Sequence, residues 1–171
     1  MTLVKNQQFS GNVLVIDKNK VVFEQSYGYA DHTAKTPNTL NITFPVASIT
    51  KLFTATAILQ LREKGLLKIT DPVCKYLPAF PYPEVTIKHL LSHTSGLPPY
   101  NAFFDKEKKE NPDKVFRNKD FIAGVVANKK PLIYPPGEKG NYDNINYLVL
   151  ALIVEKVSGN TYENYIYKNI P

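Results

Sequence analysis

The sequence predicts an α+β domain. Two observations carry this: β-branched and aromatic residues cluster in two runs near the start, and from Ser48 onward apolar residues recur at helical spacing in about five segments. A third is bulk composition, since 171 residues with 43% hydrophobic and 21% charged side chains suffice for one globular domain with its own core.

Gly11 to Ile16 and Val21 to Tyr29 are rich in Val, Ile, Phe and Tyr, and the polar Asp17 to Lys20 between them supplies turn residues, so a β-hairpin is expected. Asp31 to Thr43 is polar and unpatterned and reads as a connecting loop. From Ser48, the residues Leu52, Phe53, Ala55, Ala57, Ile58, Leu59 and Leu61 line a broad helical face that Gly65 terminates. Thr86 caps a short helix through Lys88, Leu90 and Leu91, and Pro98-Pro99 forbid its continuation past the turn at Ser92 to Gly96. Asn118 or Asp120 starts a helix through Phe121 and Val126, and Pro131 to Gly140 form an ordered, non-repetitive loop. Asn146 to Val157 is a strongly apolar helix closed by Gly159, and Thr161 caps a last helix that runs out near Pro171.

Two strands against five helices make an unbalanced domain, because a lone hairpin is marginal and needs more sheet to cover its apolar faces. The expectation is therefore a single partial domain over residues 1–171, with further strands lying outside it and available for association as a C-terminal half.

The formal charge of +6 does not imply a nucleic-acid partner, because the densest stretch, Asp105 to Asp120, mixes both signs and reads as a solvated loop ahead of a helix. The single Cys74 excludes an intrachain disulfide and fits no metal-ligand spacing; its setting, Asp-Pro-Val-Cys-Lys-Tyr-Leu, is that of a half-buried packing residue. No metal and no organic cofactor is implied. Met1 to Ser10 lacks a cationic segment followed by an apolar run, so no signal peptide is expected within it. The longest apolar run, Leu148 to Val154, is far short of the roughly 20 residues of a membrane-spanning helix.

Chemistry concentrates at Ser48-Ile49-Thr50-Lys51. Positions i and i+3 share a helix face, so the hydroxyl and the amine are neighbours, and the unpaired N–H groups of a helix start favour an alkoxide developing on Ser48. A lysine neutral enough to accept a proton can then activate the serine. The spacing alone is weak: six Ser and 19 Lys in this length give about 0.7 chance matches. Taken alone, the spacing is better read as an N-cap serine and an exposed first-turn lysine.

Context supplies the specificity. Pro45-Val46-Ala47-Ser48-Ile49-Thr50-Lys51, then Leu90-Leu91-Ser92-His93-Thr94-Ser95-Gly96-Leu97-Pro98, then Pro136-Gly137 followed by Tyr142-Asp143-Asn144, resemble three successive landmarks of the class C β-lactamase and penicillin-binding-protein family, in the family's order. The resemblance implies a β-lactamase/transpeptidase-like fold and a serine hydrolase working through an acyl-enzyme on an amide, β-lactam or ester carbonyl of a small-molecule or peptide substrate. It implies Ser48 as nucleophile, Lys51 as its activator, Tyr142 as acid–base partner, and Asn144 as a hydrogen-bonding group for Lys51 and a substrate amide. A phenol with an ordinary pKa near 10 serves as a base near neutrality only with a cation close by, and Lys51 is the candidate.

By the same resemblance His93 belongs to a structural turn rather than a triad, with Ser92, Thr94 and Ser95 binding local backbone groups. Asp143 departs from the small residue common at its position in the family; facing the site, its carboxylate would disfavour a tyrosinate at 142, and turned to solvent it would not. The family's third motif, a Lys/His-x-Gly strand carrying an oxyanion-hole N–H, and the C-terminal helix that the resemblance implies on the same sheet are absent from residues 1–171, so the isolated chain is expected to be nearly inactive. The family setting leans toward the bacterial cell envelope. A non-catalytic member that binds cell-wall peptide or a protein partner is the alternative.

Overall fold

A computed structural model describes residues 9–114 and 117–170. The chain divides into two compact units, residues 1–46 and 47–171.

In the first unit, β1 (Gly11–Asp17) pairs antiparallel with β2 (Lys20–Tyr27), with Val13 opposite Gln25 and Val15 opposite Phe23. Lys18 and Asn19, both at positive φ (46° and 61°), form the two-residue loop whose twist matches the strands it joins. The expected second strand is shorter than Val21 to Tyr29 because Gly28 turns the chain. Beyond it, β3 (Tyr29–Asp31) and β4 (Thr36–Pro37) make a second small hairpin, of which Asp31 and the whole of β4 fall in the segment expected to be loop. Its turn is organised by Asp31, whose Oδ1 accepts the N–H groups of Thr33 and Ala34. Asn38, buried, anchors the following chain by donating to Ser10 Oγ and the Tyr27 carbonyl. Both sheets are two-stranded among the described residues, and Leu14, Ile16, Val21 and Val22 remain exposed, as a ribbon without a covering layer requires.

The second unit is helical: a 3-10 turn (Ala47–Ile49) running into α1 (Thr50–Glu63), a 3-10 turn (Val73–Lys75), α2 (Ile87–Leu91), α3 (Asn101–Glu110), α4 (Asn118–Ala127), α5 (Asn144–Ser158) and α6 (Tyr162–Asn169). Helix α5 is apolar nearly all round and is accordingly central, packing against α1, α2, α4 and α6. Its Ile145, Val149, Leu150, Ile153 and Val154 are completely buried and meet Ala57, Ile58 and Leu61 of α1, Ile87 and Leu90 of α2, and Phe121 and Val125 of α4. Gly65 and Gly159, both left-handed, close α1 and α5 as expected. The Thr86 and Thr161 caps are present, Thr86 Oγ1 accepting His89 N–H and Thr161 Oγ1 accepting Asn164 N–H. His89 completes the first cap by taking Thr86 N–H on its Nδ1.

The charged stretch is corrected in part. Helix α3 occupies its beginning, because Phe103 and Phe104 are buried, Phe104 meeting the rings of Tyr100 and Phe121, and fix the first turn, from which Lys and Glu, good helix formers, continue the helix. Part of the remainder, residues 115 and 116, lies outside the described residues. Helix α4 starts where Asp120 Oδ2 accepts the N–H of Arg117. Cys74 is half-buried in the second 3-10 turn. Beside it Asp71 gathers Lys68 N–H, Lys75 Nζ and the Tyr76 hydroxyl.

Candidate active site

Ser48 stands just ahead of α1. Ala47, before it, is held at φ 44°, a left-handed conformation costing an L residue about 1 kcal/mol, and this sharp turn delivers Ser48 to the start of the helix. One turn on, Lys51 directs Nζ back to Ser48 Oγ at 3.2 Å. The same Nζ donates to Asn144 Oδ1 at 2.7 Å. The hydroxyl of Tyr142 donates to Ser48 Oγ at 2.6 Å, and Lys51 Nζ lies 4.8 Å from the centre of the Tyr142 ring. All four residues singled out from the sequence therefore converge on one place, with Ser48, Tyr142 and Asn144 exposed and Lys51 half-buried.

Two structural devices bring Tyr142 and Asn144 there. Asn144 is the first residue of α5, which starts two residues earlier than expected because Asp143 caps it, its Oδ1 accepting Ile145 N–H. The Asp143 carboxylate thus serves as a helix cap, a use not weighed in the sequence. Tyr142 is placed by the loop before α5, which is laced to the turn after α2 by backbone bonds from Ile133 N–H to the Gly96 carbonyl, Gly137 N–H to that of Thr94 and Asn141 N–H to that of His93, each 2.8 Å. The close approach depends on Gly96, at φ 70°, where a Cβ would fall 2.1 Å from the Tyr134 carbonyl oxygen.

Electrostatically, the adjacent Lys51 ammonium is the main cause holding the Tyr142 phenol below its ordinary value of 10; the hydrogen bond with Ser48 adds to this and desolvation opposes it. Ser48 and Asn144 also stand at the N-terminal ends of α1 and α5, where backbone N–H groups favour negative charge.

His93, expected only as part of a turn, packs its ring 4.5 Å from that of Tyr142 and 5.1 Å from that of Tyr147. Ser92 and Thr94 bond to each other, and Ser92 Oγ also donates to the Lys88 carbonyl. Ser95 Oγ accepts Leu97 N–H but donates to Asn146 Oδ1, 51 residues away. Asn146 went unnoticed in the sequence, although an asparagine at the head of so apolar a helix is a signal that a buried polar partner exists. No group of three or more His, Cys, Asp or Glu side chains suited to a metal occurs among the described residues, and no helix among them is long and apolar enough to cross a membrane.

The family model described as Beta-lactamase matches residues 2–170. A penicillin-binding protein of Bacillus subtilis (strain 168) is 40% identical over 169 residues, covering 99% of this chain and 37% of its own length. A crystal structure of a penicillin-binding protein from Bacillus halodurans superposes with a TM-score of 0.84 at 38% identity, covering 99% of this chain and 51% of that one. A D-stereospecific amidohydrolase from Streptomyces superposes with a TM-score of 0.65 at 32% identity, covering 74% of this chain and 41% of that one. The chain thus spans about two-fifths of the length of the curated relatives it matches, at 37% and 40% for the first two.

Proposed function

Because the chain belongs to the β-lactamase family of serine hydrolases, with a β-lactamase/transpeptidase-like fold, we propose that Ser48 is the nucleophile of an acyl-transfer reaction on an amide, β-lactam or ester carbonyl. The observation that carries this reading is the convergence of Lys51 Nζ and the Tyr142 hydroxyl on Ser48 Oγ, at 3.2 and 2.6 Å. Proton transfer requires contacts of this length between nucleophile and base.

In the proposed cycle Tyr142 in its phenolate form, favoured by the Lys51 ammonium, takes the Ser48 proton as Oγ bonds to the carbonyl carbon. The carbonyl electron pair moves onto oxygen, where the Ser48 N–H at the helix start donates one hydrogen bond. The pair returns, the bond to the leaving nitrogen or oxygen breaks, and the phenol of Tyr142 hands that atom its proton. Water then attacks the acyl-enzyme with Tyr142 again receiving the proton, which passes back to Ser48. Asn144 holds Lys51 through Oδ1 and offers its amide N–H to a substrate carbonyl.

The test is intact-mass spectrometry of the protein at its full native length after exposure to a fluorophosphonate and, separately, to a penicillin. A single adduct on Ser48 that vanishes in Ser48→Ala is the expected result. No adduct from either reagent on folded protein would overturn the reading in favour of a binding protein that keeps the cleft as scaffold.

A further inference from the structure

The ring of His93 is held by an unusually determinate set of hydrogen bonds. Asp143 N–H, which can only donate, points at its Nδ1 from 3.4 Å, and Asn146 Nδ2 lies 3.3 Å from the same atom. The Asn146 amide is itself oriented. The Asp143 carbonyl, which can only accept, lies 3.2 Å from Nδ2, so the NH₂ end faces it and His93 Nδ1, and Oδ1 is left for Ser95 Oγ, which donates to it at 2.6 Å while accepting Leu97 N–H. Ser95 and Asn146 are each 2% exposed, so water does not compete for these bonds. Two donors converging on Nδ1 require a lone pair there, which places the proton on Nε2 of a neutral imidazole.

We propose that His93, locked as the neutral Nε2–H tautomer by the buried Ser95–Asn146 relay, is a positioning residue that sets the Tyr142 ring against Lys51 and Ser48. This rests on the acyl-transfer reading above, in which Tyr142 exchanges the serine proton. The ring contact at 4.5 Å is direct, and the His93 backbone reinforces it by accepting Asn141 N–H one residue before Tyr142. The His93 backbone that does both is left-handed, at φ 56°. Around the imidazole stand Lys51 from α1, Tyr142 and Asp143 ahead of α5, and Tyr147 within it. Burial and the Lys51 charge hold its pKa below the ordinary 6.5 while Asp143 pulls the other way, consistent with a neutral ring.

The experiment is long-range ¹H–¹⁵N correlation NMR on the full native-length protein labelled at histidine nitrogens and tyrosine Cζ, compared with Asn146→Asp. The native protein should show His93 with a pyridine-like Nδ1 and a protonated Nε2 at neutral pH. In Asn146→Asp a carboxylate oxygen replaces the donor, so His93 should switch to the Nδ1–H or cationic form. Ser95→Ala, which removes the donor to Asn146 Oδ1 together with the acceptor of Leu97 N–H, should loosen the amide, give a mixture of tautomers and raise the Tyr142 midpoint, and it serves as well should Asn146→Asp fail to fold. His93→Asn, tolerant of the left-handed backbone and carrying an acceptor near the Nδ1 position, should retain fold but raise the Tyr142 midpoint. An Nδ1–H or cationic His93 in the native protein, or a Tyr142 midpoint indifferent to both Ser95→Ala and His93→Asn, would overturn the proposal. Absence of a Ser48 adduct with the native tautomer pattern and variant shifts intact would instead defeat the acyl-transfer reading.

Discussion

The Tyr142 hydroxyl sits 2.6 Å from Ser48 Oγ although 94 residues separate the two. With general acid–base catalysis worth about 10²–10⁴ in rate, Tyr142→Phe is expected to slow acylation of Ser48 by about that factor in the full-length protein. Stopped-flow acylation with an activated ester measures it, and a change under threefold would remove Tyr142 from the proton path.

Lys51 is the main cause of the lowered Tyr142 pKa. In Lys51→Met the phenol should therefore titrate closer to 10, so less phenolate is present at any pH below that and the rising limb of the pH–rate profile moves to higher pH. Tyrosine Cζ chemical shifts followed against pH test this without reference to turnover. An unmoved midpoint would contradict the role assigned to the ammonium.

Asp71 is held down to about 2 from 3.8, first by Lys75, then by Tyr76 and by the N–H of Lys68. Its folded value lies below its unfolded one, so its stabilisation is complete above about pH 4 and is lost as pH falls toward 2. Asp71→Asn should cost about 2 kcal/mol at neutral pH, from weakened bonds to a former carboxylate, and flatten the acid slope of stability across that window. Urea unfolding at pH 7, 4 and 2.5 reads both effects.

Gly96→Ala should lower stability by about 1–3 kcal/mol, because the added Cβ meets the Tyr134 carbonyl at 2.1 Å and the backbone is left-handed. The loop must shift, and Tyr142 with it, so the histidine and tyrosine resonances of the site should move in a variant whose substitution touches neither. Unchanged site resonances would mean the loop absorbs the strain locally.

Leu150→Ala and Ile153→Ala, at wholly buried positions of α5, should each cost about 2–5 kcal/mol in thermal or urea unfolding.

Much of this was legible in the sequence, and the limits have physical causes. Thr86, Thr161, Gly65 and Gly159 announced helix ends because capping is a local interaction between residues a few positions apart. Ser48 and Lys51 were readable for the same reason, being one turn apart. Tyr142 and Asn144 came only through family resemblance, since no local pattern reports a contact across 94 residues. The small β3–β4 hairpin escaped because two or three residues are too few to show alternation. Helix α3 escaped because its charge mixture looked like a solvated loop, while burial of Phe103 and Phe104, a tertiary event, decided the matter. The Asp143 carboxylate was weighed as a charge, whereas its backbone neighbour Ile145 N–H claimed it as a cap.

Helix α5 begins with Asn144 and Asn146 in the site and continues as the interior of its unit. Sequence drift along it is therefore hard to divide between a tolerant scaffold and a constrained centre, since Ile145 and Asn146 of the first turn are buried in the same helix as Val149 and Ile153. Selection for turnover alone would keep this interior apolar, and selection for folding alone would keep the first turn where it is. New specificities grafted at Asn144 would be recovered more readily from a background stabilised elsewhere, for instance at the exposed end of α6, than from the native one.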